Sequence, residues 1–152
     1  MPKPILLVED NPLDRDLALE ALERAGLADM TMALEDGVEA LDYLFCRDRY
    51  AQRTAGNPAV IVVDLKMPKV DGLDVLRAVR SHPGTAHIPV VMLTGSREEV
   101  DIAKSYALGV SAYVVKPMDF HELIRAVSEI GTFWAVLNVP PPSALGHPMH
   151  AG

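Results

Sequence analysis

The chain has 152 residues, 49% of them apolar and 23% charged, with a formal net charge of −7; this suits one domain with one sizeable core. The acidic balance argues against nonspecific binding to nucleic acid or to an anionic membrane, because the basic patch such binding needs is missing, and no apolar run approaches the roughly 20 residues that span a bilayer. Met-Pro-Lys-Pro leads into an apolar run without a signal-peptide plan, and Cys46, the one cysteine, permits no internal disulfide and reads as a buried or half-buried structural thiol, so the expected location is the cytoplasm.

Pro4 to Val8 is a short apolar run that stops at the acidic pair Glu9–Asp10, as a buried strand should. Leu13 to Ala25 reads as a helix with Leu13, Leu17, Ala21 and Leu22 on one face. Asn11 can cap it with Pro12 in its first turn, and Gly26 is placed for a left-handed C-cap. Met30 to Leu34 can form a shorter strand. Asp36 can N-cap the next helix, whose apolar face carries Ala40, Leu41, Leu44 and Phe45. Cys46 to Pro58 is polar, holds Arg47, Arg49, Arg53 and Gly56, and is expected to be an extended connection.

Val60 to Asp64 is continuous and β-branched, which predicts a central strand buried on both faces. Pro68 and Gly72 break the following loop before a helix containing Leu73, Leu76 and Val79. Val90 to Leu93 is strand four, Arg97 to Leu108 a helix with Ala103 and Ala107 toward the core, and Ala112 to Val115 strand five. The last helix starts near Asp119 and carries Phe120, Leu123, Ile124 and Val127. From Asn138 the chain is Pro-rich and polar, so residues 1–137 are expected to form the domain and 138–152 a tail. His147 and His150 in that tail lack the spacing of a zinc site.

Five βα units in succession predict an α/β fold, a flavodoxin-like doubly wound parallel sheet of order 2-1-3-4-5 with helices on both faces. Its strands deliver Glu9 and Asp10, then Asp64, Thr94 and Lys116, to the carboxyl edge, where one site can collect them. Three carboxylates in close contact cannot all stay ionised without a cation, and hard oxygen donors without Cys or His favour Mg²⁺. Each residue also has a plainer reading: a solvated turn at Glu9–Asp10, a loop-capping Asp64, an N-cap Thr94, a surface Lys116. The Lys116–Pro117 step is expected to be cis, aiming Lys116 inward. Convergence at one sheet edge favours a metal-assisted phosphoryl-transfer site over those separate explanations.

These residues resemble the receiver domain of bacterial two-component response regulators, over about Lys3 to Ile130. The resemblance implies that Asp64 is the phosphoacceptor, attacking the phosphorus of a phosphohistidine on a partner histidine kinase. It implies Mg²⁺ held by Asp10 and Asp64, by Glu9 through water, and by the Lys66 backbone carbonyl. Thr94 and Lys116 would contact phosphoryl oxygens, and Tyr113 would be the aromatic that moves inward as Thr94 shifts, a path that Gly95 leaves open. Lys66 and Ser96 are expected at the mouth of the site, where Lys66 would alter the phosphoryl lifetime.

No DNA-binding domain fits after residue 130, so output is expected through noncovalent protein contacts. Ile130, Phe133, Trp134, Val136 and Leu137 carry more apolar surface than one core-facing stripe requires. They predict a homodimer through Phe133, Trp134 and Leu137; the plainer alternative folds Phe133 and Trp134 back on the chain's own core. The Cys46–Pro58 loop, the FWAVLN segment and the PPP tail resemble the single-domain receivers associated with bacterial phytochromes, implying a red-light-sensing kinase, a bacteriophytochrome, as partner. Competing readings are a phosphorylation-independent interaction module or phosphate sink, and an aspartyl-phosphate phosphatase. The phosphatase is disfavoured because Lys66 stands where a general acid would be. A nucleotide site is disfavoured because no G-x-G-x-x-G follows strand one.

Overall fold

The computed structural model describes residues 3–54 and 56–142. His147, His150 and the end of the expected tail lie outside them. Five parallel strands, β1 (Ile5–Val8), β2 (Thr31–Leu34), β3 (Val60–Val63), β4 (Val90–Thr94) and β5 (Ala112–Val115), pair in the order β2-β1-β3-β4-β5. The flavodoxin-like topology is therefore the observed one. Between and after the strands run α1 (Pro12–Arg24), α2 (Gly37–Leu44), α3 (Gly72–Ser81), α4 (Glu99–Ala107) and α5 (Phe120–Thr132).

The central strands read as uninterrupted apolar runs because helices cover both of their faces. Alternation along each strand sorts the side chains. Leu6, Val8, Ile61, Val63 and Met92 pack under α2 and α3 with Val75, Leu76 and Val79. Ile5, Leu7, Val60, Val62 and Leu93 pack under α1 and α5 with Ala21, Leu22, Ile124 and Val127. The helix starts follow local chemistry. Asn11 accepts from the Asp14 amide with Pro12 in the first turn, Asp36 from the Glu39 amide and Asp119 from the Glu122 amide. Asp71 and Asp74 form a capping box at α3. At the end of α1, Gly26 takes a φ of 78° and closes the helix as expected.

Four expectations need correction. Leu13 is 67% exposed; the buried face of α1 is Ala18, Ala21 and Leu22, because its first turn overhangs the sheet edge. Ala103 and Ala107 are exposed, and α4 turns Asp101 and Ser105 inward instead. A small-residue stripe mimicked a core face while hydrogen bonds decided the real one. Phe120 is exposed at the first position of α5. No peptide among the described residues is cis, so Lys116–Pro117 is trans, and Lys116 is aimed inward by its ion pairs.

The Cys46–Pro58 connection is less extended than its composition suggests. A 3-10 turn spans Asp48–Tyr50, and Arg53 lies over the Tyr43 ring at 4.1 Å while donating to the carbonyls of Tyr43 and Leu44. Tyr50 donates to Glu39 at 2.6 Å and packs edge-on against Tyr43. One guanidinium thus satisfies backbone groups of a loop that has few apolar side chains of its own. Cys46 is half-buried there, as expected, with its Sγ 3.7 Å from the Arg53 carbonyl.

Gly72 does more than break a loop. It is the first residue of α3, and a Cβ there would lie 2.5 Å from the Asp64 carbonyl oxygen and 2.9 Å from the Leu65 Cα. Backbone atoms cannot step aside as a side-chain tip can. Gly72→Ala is therefore expected to destabilise the fold by about 2–3 kcal/mol, the cost of overpacking a tight site, as read from urea unfolding. It should also displace Asp64. Wild-type stability in that variant would show that the contact relaxes freely. At Gly95, by contrast, an added Cβ would meet nothing within 4 Å, so absence of a side chain there is not what keeps the path behind Thr94 open.

Candidate functional site

The strand order reverses between β1 and β3, so the crevice at their carboxyl ends is the topological switch point of the sheet. Backbone register carries the polar residues there. Glu9 N–H donates to Leu34 O, Asp64 N–H to Val8 O, and Lys116 N–H to Thr94 O at 2.7 Å. Glu9 and Asp64 follow directly from the buried strands β1 and β3, Thr94 is the last residue of buried β4, and Lys116 follows the partly buried β5, so each position is fixed by strand pairing.

One carboxylate oxygen from each of Glu9, Asp10 and Asp64 falls within 4.8 Å of the others. Hard oxygen donors at that spacing fit a small divalent cation. The Lys116 ammonium reaches the same cluster, at 2.7 Å from Glu9 Oε1, 2.9 Å from Asp14 Oδ2 and 3.1 Å from Asp64 Oδ2. Lys116, Glu9 and Asp64 are mostly buried, while Asp14 is about a third exposed. Burial alone would lower the Lys116 pKa; hydrogen bonds to Asp14 and Glu9 and the charge of Asp64 outweigh it and raise it. Three carboxylates share one ammonium, and the most buried of them has its pKa raised. Burial, helped by the Asp64 charge and opposed by Lys116, lifts Glu9 to about 7.

Thr94 is buried, and its Oγ1 accepts from the Ser96 amide at 3.3 Å. Tyr113 is half-buried against the core under α2 and α3, with its hydroxyl donating to the Ser96 carbonyl at 3.0 Å. Lys66 lies beside Asp64, its amide 3.4 Å from Asp64 Oδ1, while its ammonium extends away to Asp101 at 3.3 Å. Glu9, Asp10, Asp64, Thr94 and Lys116 therefore share one edge, with Lys66, Ser96 and Tyr113 around it.

Phe133, Trp134 and Leu137 lie on the segment that continues α5 as a π-helical turn, Phe133–Leu137. The three divide. Trp134 packs on the core shared by α1 and α5, while Phe133 is 47% and Leu137 65% exposed. Trp134, Met30, Ile88 and Pro140–Pro142 help line a groove of about 360 Å³ at the amino edge of the sheet, opposite the carboxylates.

Two site residues escaped the sequence. Asp14 stands in the first turn of α1, where an acidic residue is explained by the helix dipole and draws no further notice. Asp101 stands on a helix whose spacing suggested the wrong buried face.

Residues 5–128 match the response regulator receiver domain. The chain belongs to that family. Phosphorylation on an aspartate is the family's general mechanism, and receiver domains are phosphoacceptor switches that pair with histidine kinases. This receiver is 37% identical over 133 residues to response regulator Rcp1 of Synechocystis sp., across 88% of its own length and 89% of that protein. A solved Mn²⁺-bound form of Rcp1 superposes with a TM-score of 0.83 at 35% identity, over 93% of this receiver and all of that chain. The phosphorylated cyanobacterial phytochrome response regulator RcpA superposes at 0.85 with 37% identity, over 93% of this receiver and 100% of that chain. The bacteriophytochrome response regulator RtBRR superposes at 0.75 with 54% identity, over 95% and 87%. Among the described residues, no helix is long and apolar enough to cross a membrane.

Proposed function

We propose that this receiver accepts a phosphoryl group on Asp64 from a histidine kinase and signals through noncovalent contacts made by residues 1–137. The observation that carries the reading is the joint approach of Lys116 to Glu9 and Asp64 at 2.7 and 3.1 Å, beside Asp10, at the switch point of the sheet. An Asp64 oxygen attacks phosphorus in line; the P–N bond of the phosphohistidine breaks, and its electron pair returns to the imidazole nitrogen. Lys116, already beside Asp64, neutralises a phosphoryl oxygen without reorganising, as a preorganised cation should. Thr94 turns its hydroxyl from the Ser96 amide toward another oxygen, and Tyr113, bonded to the Ser96 carbonyl, senses the change.

Asp10 and Asp64, with the Lys66 carbonyl, would hold Mg²⁺ directly, and Glu9 would hold it through water. When bound, the ion supplies the remaining charge neutralisation at the phosphoryl group. That Rcp1 has a Mn²⁺-bound form supports divalent-cation binding by this receiver. The test is intact mass after incubation with a small-molecule phosphodonor. One phosphoryl adduct that requires a divalent cation is expected. No adduct, where a control receiver is modified, would overturn the reading.

The partner kinase is of the bacteriophytochrome class, a reading supported by the 54% identity to RtBRR and the 37% identity to RcpA. Leu13 and Met118, both exposed beside the site, supply apolar surface for that kinase. A homodimer forms through the exposed Phe133 and Leu137, with Trp134 bracing the segment from behind. Exchanging Phe133 and Leu137 together for Asp is expected to convert a dimer to a monomer in sedimentation equilibrium, because two charges cannot be buried unpaired at an interface. An unchanged mass would exclude this segment.

A further inference from the structure

Asp101 links two loops that border Asp64. Its carboxylate accepts from the Ser96 hydroxyl at 2.6 Å and lies 3.3 Å from the Lys66 ammonium. The carboxylate is mostly buried, whereas the Lys66 side chain is 70% exposed. Asp101 is itself anchored, its carbonyl accepting from the buried Ser105 hydroxyl at 2.8 Å. Ser96 is anchored as well, through its amide to Thr94, its carbonyl to Tyr113, and its Oγ to the Glu98 amide. The two contacts of Asp101 are therefore unequal. The bond to Ser96 is short, sheltered and held from both sides, whereas the pair with Lys66 joins a flexible, solvated side chain to a fixed anion.

We infer that Asp101 is a positioning residue for phosphoryl turnover: it holds the Lys66 ammonium away from Asp64, and the phosphoryl group competes with it for that cation. The inference rests on Asp64 being the phosphoacceptor. Lys66 is two residues beyond Asp64, with its amide already against Asp64 Oδ1. An acyl phosphate there brings up to two negative charges against the single charge of Asp101. While Asp101 keeps the ammonium, the side of the phosphoryl group facing the Lys66 loop stays open to water and hydrolysis proceeds. When Asp101 loses its charge, Lys66 turns to the phosphoryl oxygens, covers that approach, and the mark lasts longer. The pairing thus makes the acid on α4 a determinant of signal duration, though it does not touch the phosphoryl group.

The test compares wild type, Asp101→Asn, Lys66→Met and the double variant. Asparagine keeps an oxygen for Ser96 and removes only the charge, so the fold is preserved. Each protein is phosphorylated with a small-molecule donor and Mg²⁺, the donor is removed, and loss of the adduct is followed by intact mass. Asp101→Asn is expected to lengthen the half-life about three- to tenfold, and to do nothing in the Lys66→Met background. A merely structural role for Asp101 would change both backgrounds alike. Equal half-lives for wild type and Asp101→Asn, or the same shift with and without Lys66, would overturn the inference while leaving Asp64 as acceptor. Failure of every variant to form an adduct would overturn the phosphoacceptor reading and the inference with it.

Discussion

Asp64→Asn is expected to abolish the phosphoryl adduct and leave the fold intact. The substitution preserves shape and an oxygen for Lys116 but replaces the nucleophilic carboxylate with an amide. No other carboxylate combines the same position with the same surroundings: Glu9 is more deeply buried and holds its proton up to about 7, and Asp14 is on a helix rather than at a strand end. Stability should hold or rise in metal-free buffer, because three carboxylates share one ammonium in the wild type and one fewer negative charge relieves their repulsion. Intact mass reads the first effect and a thermal melt in chelator the second. An adduct that survives on Asp64→Asn would move the acceptor elsewhere, and a lower melting temperature would show that the Asp64 charge is structural.

Lys116→Met is expected to produce the largest stability loss of any single change in the site, and that loss should depend on metal. Without Lys116, Glu9, Asp14 and Asp64 face one another with no cation. Removing one partner of a mostly buried ion pair costs about 3–5 kcal/mol. The lower end applies here, because Asp14 is partly solvated and Glu9 relieves part of the charge by protonation. Millimolar Mg²⁺ should return a large part of the loss by binding the folded state alone. Urea unfolding with chelator and with Mg²⁺ gives the comparison. An equal loss under both conditions would mean that Lys116 contributes packing rather than charge. Phosphorylation by a small donor should also slow in this variant, because the preorganised ammonium beside Asp64 is gone.

Both effects trace to residues that were legible from local rules. An apolar β-branched run that stops at Asp64, another that stops at Glu9–Asp10, and single polar groups after β4 and β5 could be read without coordinates. So could the caps at Asn11, Asp36 and Asp119. Period and capping are properties of neighbouring residues, and in a parallel sheet with both faces covered they leave little choice of topology.

What local rules could not supply was orientation. Leu13 and Phe120 are apolar by sequence yet stand exposed at helix starts beside the site, where the sheet ends and no neighbour remains to cover them. Ala103 and Ala107 carry too little side chain to set a helix's rotation; Asp101 bonds across to the Ser96 loop, and Ser105, buried beneath it, satisfies its hydroxyl on the Asp101 carbonyl within the helix. The division of Phe133, Trp134 and Leu137 follows from a π-helical turn that changes their angular spacing.

Strand order and the residues brought to the carboxyl edge were already readable along the chain, because burial pattern and chain connectivity act over short distances. That Asp14 joins Lys116 and that Asp101 claims Lys66 emerged with the folded arrangement alone. Those pairings depend on which helix faces which loop, and the outcome is set by desolvation and charge across 102 and 35 positions of chain.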